Sequence, residues 1–279
     1  MTTGKFTASL LACLCSAVSF AADGLTQFTF PECSVTCIQD TPARHPAALF
    51  SSAKGTPLPL KQDFFLSSIN VFLLEKKGER FLIDAGNDQR RGSLKEKLET
   101  LKVESATIKA VFITHIHPDH VGGLLWNNAP LFPNATIFIA REEYEAWQKD
   151  ANRAALGKYL MPYQSRLQLI DYGKPLPGGL LPIKKAGHTP GHTVYKLALS
   201  ATDAAIFVGD ILHAVALQVP HPEFCARYDS APAEAIKSRL EIYSEKVLLF
   251  GAHFPFPGCA TLTPATPGTF NYTPYGGNK

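Results

Sequence analysis

The sequence predicts an α/β protein: an αββα sandwich in which two mixed β-sheets pack face to face between flanking helices. Three observations point there. Short apolar, β-branched runs alternate with amphipathic helical stretches, and the alternation occurs twice, in two halves of the chain. Several of those runs end in His or Asp, not in ordinary turn residues. A length of 279 residues with 46% hydrophobic composition is enough for one full core.

The chain opens with one early cation, Lys5, and an apolar run from Ala8 to Phe20 that closes in Ser19-Phe20-Ala21. This small-x-small ending reads as a removable secretory signal over residues 1–21, which implies a periplasmic or secreted protein. The run is too short to span a membrane comfortably, and no other stretch approaches the required length. Removal leaves four of six cysteines: Cys33, Cys37, Cys225 and Cys259. Export permits disulfides, and Cys33 with Cys37 is the readiest pair because the intervening segment is short. Residues 22–64 are rich in Pro, Ser, Thr and Ala with little periodicity, so an irregular arm is expected, with His45 a solvated loop histidine. A single domain follows over residues 65–279.

Residues 68–74 and 80–84 read as a hairpin around a charged turn containing Gly78, and the second strand ends in Asp84-Ala85-Gly86. A buried carboxylate there needs a donor, which a metal-bound histidine would supply. Ser93-Leu94-Lys95-Glu96 reads as a capping box, and Leu94, Leu98 and Leu101 give the following helix an apolar face. The apolar run 109–113 then delivers Thr114-His115-Ile116-His117-Pro118-Asp119-His120, four potential metal ligands in six residues at a strand end. His115 and His117, two apart, leave an extended chain on one face and can reach one ion, while Asp119 and His120 diverge and can serve a second.

The second half repeats the plan. A strand at 135–139 and a helix at 141–150 carrying Tyr144 and Trp147 lead through a less regular stretch to Gly187-His188-Thr189-Pro190-Gly191-His192. Strands at 194–199 and 204–208 follow, the latter ending in Gly209-Asp210, and a helix over 230–245 feeds a strand ending in Gly251-Ala252-His253. The tail, with Pro264, Pro267 and Gly268, reads as an edge hairpin.

The ordered set His115-x-His117-x-Asp119-His120, with Asp84 upstream and His188, Asp210 and His253 downstream, resembles the metallo-β-lactamase superfamily. The stretches 113–124, 187–193, 209–212 and 253–258 look most like its branch of methyl parathion hydrolase and related exported lactonases. That resemblance implies the metallo-β-lactamase fold and two zinc ions. His115, His117 and His188 would hold one ion, and Asp119, His120 and His253 the other, with Asp210 bridging. It further implies attack by a metal-bridging hydroxide on a lactone, ester or phosphotriester, proton relay by Asp119, and a homodimer. Asp84, Thr114 and His192 would orient the ligands. Trp147, His213 and Phe254 are candidate pocket walls.

Composition and pattern bound the alternatives. A net charge of +3 without a Lys/Arg stripe gives no footprint for nucleic acid, which argues against a nuclease of the same fold. The segments after Asp210 and His253 supply no cation to anchor the carboxylate of a β-lactam, the substrate of an alternative hydrolase. A mononuclear iron sulfur dioxygenase needs only a three-ligand site, and a non-catalytic module usually loses ligands, whereas all seven positions are filled here.

Overall fold

The computed structural model describes residues 16–20, 23–149, 153–266 and 268–275. An eight-stranded sheet packs on a six-stranded one. The first holds β1 (Ser16–Phe20), β2 (Leu25–Thr29), β3 (Cys33–Pro46), β4 (Phe64–Lys76), β5 (Glu79–Ile83), β6 (Ile108–Phe112), β7 (Thr136–Ala140) and β8 (Leu167–Ile170). The second holds β9 (Leu181–Lys184), β10 (Thr193–Ala198), β11 (Ala204–Phe207), β12 (Leu248–Phe250), β13 (Cys259–Pro264) and β14 (Phe270–Pro274). Spatial order follows sequence order in both sheets. Strands β1 to β5 run antiparallel and β5 to β8 parallel. In the second sheet β11 and β12 are parallel and the remaining neighbours antiparallel.

Parallel neighbours need crossovers, and helices supply them. Helix α1 (Leu94–Thr100) joins β5 to β6, α2 (Pro118–Val121) follows β6, α3 (Arg141–Lys149) joins β7 to β8, and α4 (Pro232–Tyr243) lies between β11 and β12. Strand β4 shows why its sequence is a continuous apolar run: both faces are covered. Val71 and Leu73 pack with Leu94, Leu98 and Trp147 of the helical layer. Phe72 and Leu74 face the second sheet, where Tyr195, Leu197, Phe207 and Phe250 meet them. Phe72 lies 5.5 Å from Phe207 and 5.4 Å from Phe250, ring centre to ring centre, so aromatic contacts weld the two sheets. On the far side, Ile206 and Leu249 pack with Ile242 and Tyr243 of α4.

The stretch expected as an irregular arm is mostly strand. Residues of β3 pair with β4 from Cys33↔Lys76 to Pro46↔Phe64, the longest ladder in the protein. Its polar, Pro-containing second half hides the pattern, because Pro42 and Pro46 are exposed at the end of the ladder, where strand prolines are tolerated. Of the segment expected as a signal, residues 1–15 and 21 lie outside the described residues, and β1 pairs antiparallel with β2. Without β1 the sheet has seven strands. Of the pairings the sequence leaves open, Cys33 with Cys37 is excluded: four residues of extended strand separate their Cα atoms by about 13 Å, twice the reach of a disulfide.

The expected capping box also differs. Ser93 makes no side-chain cap to α1, and its hydroxyl donates to the Asp40 carbonyl. A register shift between Gln39 and Thr41 leaves Asp40 out of the ladder, and its buried carboxylate does the capping. Asp40 Oδ1 accepts from the amides of Ser93 (2.8 Å) and Leu94 (2.9 Å), and Oδ2 from that of Asn87 (3.0 Å). Gly86 and Gly92 press against this carboxylate so closely that a Cβ on either would lie 2.7 Å from it. Asp40 thus ties the bulge in β3 to the loop leaving Asp84. Replacing it with Ala strands three backbone donors, that of Leu94 buried and those of Ser93 and Asn87 partly so, and should cost on the order of 2 kcal/mol. A lowered denaturant midpoint with an unchanged slope would show this, whereas a midpoint within error of the parent would contradict the assignment.

Candidate metal centre

The strand ends converge at one edge of the sandwich. Asp84 follows β5, residues 114–120 follow β6, His188 lies in the loop after β9, Asp210 follows β11 and His253 follows β12. Hydrogen bonds between the sheets hold these loops in register. Tyr195 on β10 donates its hydroxyl to the Ile113 carbonyl (2.8 Å), and the Thr193 amide donates to the Thr114 carbonyl (3.0 Å). Asn70 on β4 donates through Nδ2 to the carbonyls of Gly251 (3.0 Å) and Phe254 (2.8 Å), fixing the turn that carries His253.

Among the described residues four overlapping groups of ligand atoms result, the atoms of each within 4.8 Å of one another; two of them, His115, His117, His188 and Asp210 in the first and Asp119, His120 and His253 in the second, hold the seven expected ligands, and the other two include His213. In the first group, His117 Nδ1 lies 2.9 Å from both His115 Nε2 and His188 Nε2, which are 3.2 Å apart. Nitrogens around one tetrahedral zinc stand about 3.3 Å apart, so the spacing suits an ion. In the second group His253 Nε2 is 3.5 Å from Asp119 Oδ2. Asp210 touches both groups: Oδ2 lies 3.3 Å from His188 Nε2 and 3.2 Å from His253 Nε2, and Oδ1 is 3.0 Å from His120 Nε2. His120 Nε2 and Asp210 Oδ1 are buried with no hydrogen-bond partner to satisfy either. A cation between them would.

The outer partners of each ring decide which nitrogen is bare. Thr114 gives its hydroxyl proton to Asp84 (2.9 Å), so His115 Nδ1–H must donate to Thr114 Oγ1 (3.1 Å), leaving Nε2 as a lone pair. His120 Nδ1–H donates to Asp84 Oδ2 (2.8 Å), His188 Nδ1–H to Asp229 Oδ1 (2.9 Å) and His253 Nδ1–H to the Ser68 carbonyl (3.1 Å). Every one of these rings therefore turns its Nε2 inward, the arrangement of metal ligands held by outer carboxylates and carbonyls. Burial holds the His115 ring well below its usual range and His117 down to about 3. Burial also opposes charge on His120 and His253, but the neighbouring carboxylates, Asp210 foremost, outweigh it and raise both. The donor set thus calls for positive charge, and two divalent ions fit it.

The structure brings all seven expected ligands together and puts Asp84, Thr114 and His192 around them. His192 is buried, donates Nδ1–H to the Lys185 carbonyl (3.1 Å) and accepts the Asp210 amide at Nε2 (3.0 Å). His213 is buried against the centre, its Nε2 3.1 Å from Asp210 Oδ2. Trp147 places its indole edge-on to His117, with ring centres 5.6 Å apart. Phe254 is a correction: fully buried, it folds back over Gly251 and packs on Tyr272, 5.5 Å away, in the outer core. The turn held by Asn70 points it away from the cavity.

Six side chains were not expected to contribute. His45, placed by the long β3–β4 ladder, lies 5.2 Å from the His253 ring. Ser67 donates to the His253 carbonyl (2.9 Å), so His45 Nε2–H donates to Ser67 (3.0 Å) and its Nδ1 accepts the Tyr228 hydroxyl (3.2 Å). Burial pushes the His45 ring down to about 3, so it stays neutral. Asp229, which orients His188, is itself 3.8 Å from the guanidinium of Arg239, a fully buried side chain. Glu143, buried beside Trp147, completes the set. No local motif marks any of them; only Asp229 had a signal, a lone acid shortly before a predicted helix.

Asp84→Ala should leave His120 Nδ1–H without its acceptor and weaken metal binding about 10–100-fold. Chelator competition measures it, and an affinity equal to the parent's would remove Asp84 from this role.

Comparison with known proteins agrees with the geometry. AbOPH, a hydrolase of the beta-lactamase superfamily, superposes with a TM-score of 0.80 at 26% identity over 90% of this chain and 97% of its own. AidC, a dizinc quorum-quenching lactonase, superposes with a TM-score of 0.81 at 24% identity, with the same coverages of 90% and 97%. YobT of Bacillus subtilis is 29% identical over 155 residues, which are 52% of this chain and 62% of that protein, so the match spans under two thirds of the relative. The family model of the metallo-beta-lactamase superfamily matches residues 65–253, from the start of β4 to the last of the seven converging side chains, and the chain belongs to that superfamily.

Proposed function

We propose that this protein is a dinuclear zinc hydrolase that opens a lactone, an uncharged ester or a phosphotriester. The observation that carries the reading is a cavity of about 260 Å³ lying directly on the two ligand groups. His45, His117, Pro118, Asp119, Asp210, Tyr228 and His253 line it, without a single Lys or Arg. Asp119 and Asp210 are committed to the ions, so an anionic β-lactam or glutathione thioester would find no Lys or Arg in this lining to anchor its remote carboxylate. A neutral acyl or phosphoryl compound needs no such anchor. AidC, whose structure holds the product N-hexanoyl-L-homoserine, supports the lactone end of this range.

Zinc ions held there would lower the pKa of water to about 7 and stabilise the negative charge that gathers on the oxygen of the carbonyl or phosphoryl group under attack. The protein's own groups do the rest. Asp210 sets the spacing between the two ligand groups through its two oxygens. Asp119, with its side chain 31% exposed, is the carboxylate at the cavity floor that can pass a proton to the leaving oxygen. The Tyr228 hydroxyl stands at the rim, held by His45. The second ligand group favours two ions over the single iron of a sulfur dioxygenase. Export and a homodimeric state belong to the same proposal, resting on the apolar segment before Ala22 and on the family resemblance. Among the described residues no helix is long and apolar enough to cross a membrane.

Purified protein should contain two zinc ions per chain and lose activity on chelation. It should hydrolyse acyl-homoserine lactones, aryl esters or dialkyl aryl phosphotriesters well ahead of a cephalosporin. One iron per chain without zinc, or preference for the cephalosporin, would overturn the reading. Asp119→Ala should lower turnover about 10²–10⁴-fold in a folded protein; undiminished turnover would exclude the proton-relay role.

A further inference from the structure

We propose that Glu143 is a positioning residue that clamps together the two loops carrying His115, His117 and His188, and so sets the affinity of that ligand group without touching it. Glu143 lies in the first turn of α3 and is fully buried. Its two oxygens receive four donors. Oε1 accepts from the Ile116 amide (3.1 Å) and from Trp147 Nε1 (2.8 Å). Oε2 accepts from the Thr189 hydroxyl (2.7 Å) and the Gly191 amide (3.0 Å).

Ile116 sits between His115 and His117, and Thr189 and Gly191 follow His188, so one carboxylate joins both loops to a helix. Four donors and no acceptor surround it, the environment of a carboxylate anion and not of a neutral acid. Gly191 is part of the device: a Cβ there would lie 2.1 Å from the Glu143 amide nitrogen, so only glycine lets the His188 loop reach the carboxylate. Trp147 extends the clamp, since the indole that donates to Oε1 also lies edge-on against His117. Asp119, His120 and His253 receive nothing from Glu143. The clamp therefore bears directly on the first ligand group and reaches Asp119 and His120 only through the chain beyond His117. A buried carboxylate is costly unless fully paired, so its place beside the apolar and aromatic side chains of the helical layer needs a reason.

Glu143→Gln tests this at constant shape. Either orientation of the amide turns an NH₂ toward a pair of donors that includes a backbone N–H, Ile116 or Gly191, which cannot reverse. One loop is released. Thr189→Val, a milder second variant, removes a single donor.

Two readouts separate the claim from general destabilisation. The first uses the protein stripped of metal, where hydrogen exchange at the Ile116 and Gly191 amides reports the clamp directly. Exchange should quicken there in Glu143→Gln while the core strands β4 and β10 stay protected. The second rests on the two-metal reading: titration with Co²⁺ should show one of two sites weakened about 10–100-fold, the other unchanged, with altered absorption only for the weakened site. Thr189→Val should shift the same site by less. Unchanged exchange at both amides, or equal weakening of both sites, would overturn the clamp. Binding of fewer than two Co²⁺ ions by the parent protein would count against the dinuclear function instead, and the exchange result would then decide the clamp alone.

Discussion

Imidazole lone pairs and carboxylate oxygens brought within 3 to 4 Å of each other in a dry cleft repel unless positive charge lies between them. That constraint organises the molecule. Four of the rings turn Nε2 inward because Nδ1–H is committed outward, that of His115 through Thr114 to Asp84, and those of His120, His188 and His253 directly to Asp84, Asp229 and the Ser68 carbonyl. Each outward acceptor is held in turn by backbone or by another buried group. The centre is thus the innermost of three nested layers, and the outer two are carried by the junction of the sheets.

The sandwich provides what the layers require. Aromatic contacts between Phe72, Phe207 and Phe250 set the sheets rigidly against each other. Loops from both sheets then meet along one edge, close enough for Tyr195 and Asn70 to bond across. A single loop bearing seven ligands would have to fold around them without support. Here the end of β6 supplies four and three other strand ends supply one each, and the cost of ordering them is shared with the core.

The N-terminal segment enters this scheme as more than a cover. Its ladder along β4 delivers His45 to the cavity and Asp40 to the start of α1. Both act through hydrogen bonds to loops that also carry or support ligands. The rim of the cavity, His45 with Tyr228, is therefore built from parts distant in sequence, 183 positions apart.

Much of this was legible in the residues. Short apolar runs ending in His or Asp mark buried strands with chemistry at their ends, because only that placement makes four polar groups in six residues tolerable. The strand and helix expectations from residue 65 onward agree with the structure to within a few residues, since those segments carry strong periodicity. The direction of Phe254, the strand nature of residues 33–46 and the cap on α1 were not legible. Each depends on a partner far away in sequence: Asn70 on the Phe254 turn, β4 along β3, Asp40 on Ser93 and Leu94. Sequence alone therefore determined which atoms could bind metal and on which strand ends they sit, because ligand chemistry and strand periodicity are local. Only the tertiary structure decided which ring nitrogen faces inward, which side chains line the cavity and which carboxylates hold the loops, because those follow from contacts between the two sheets.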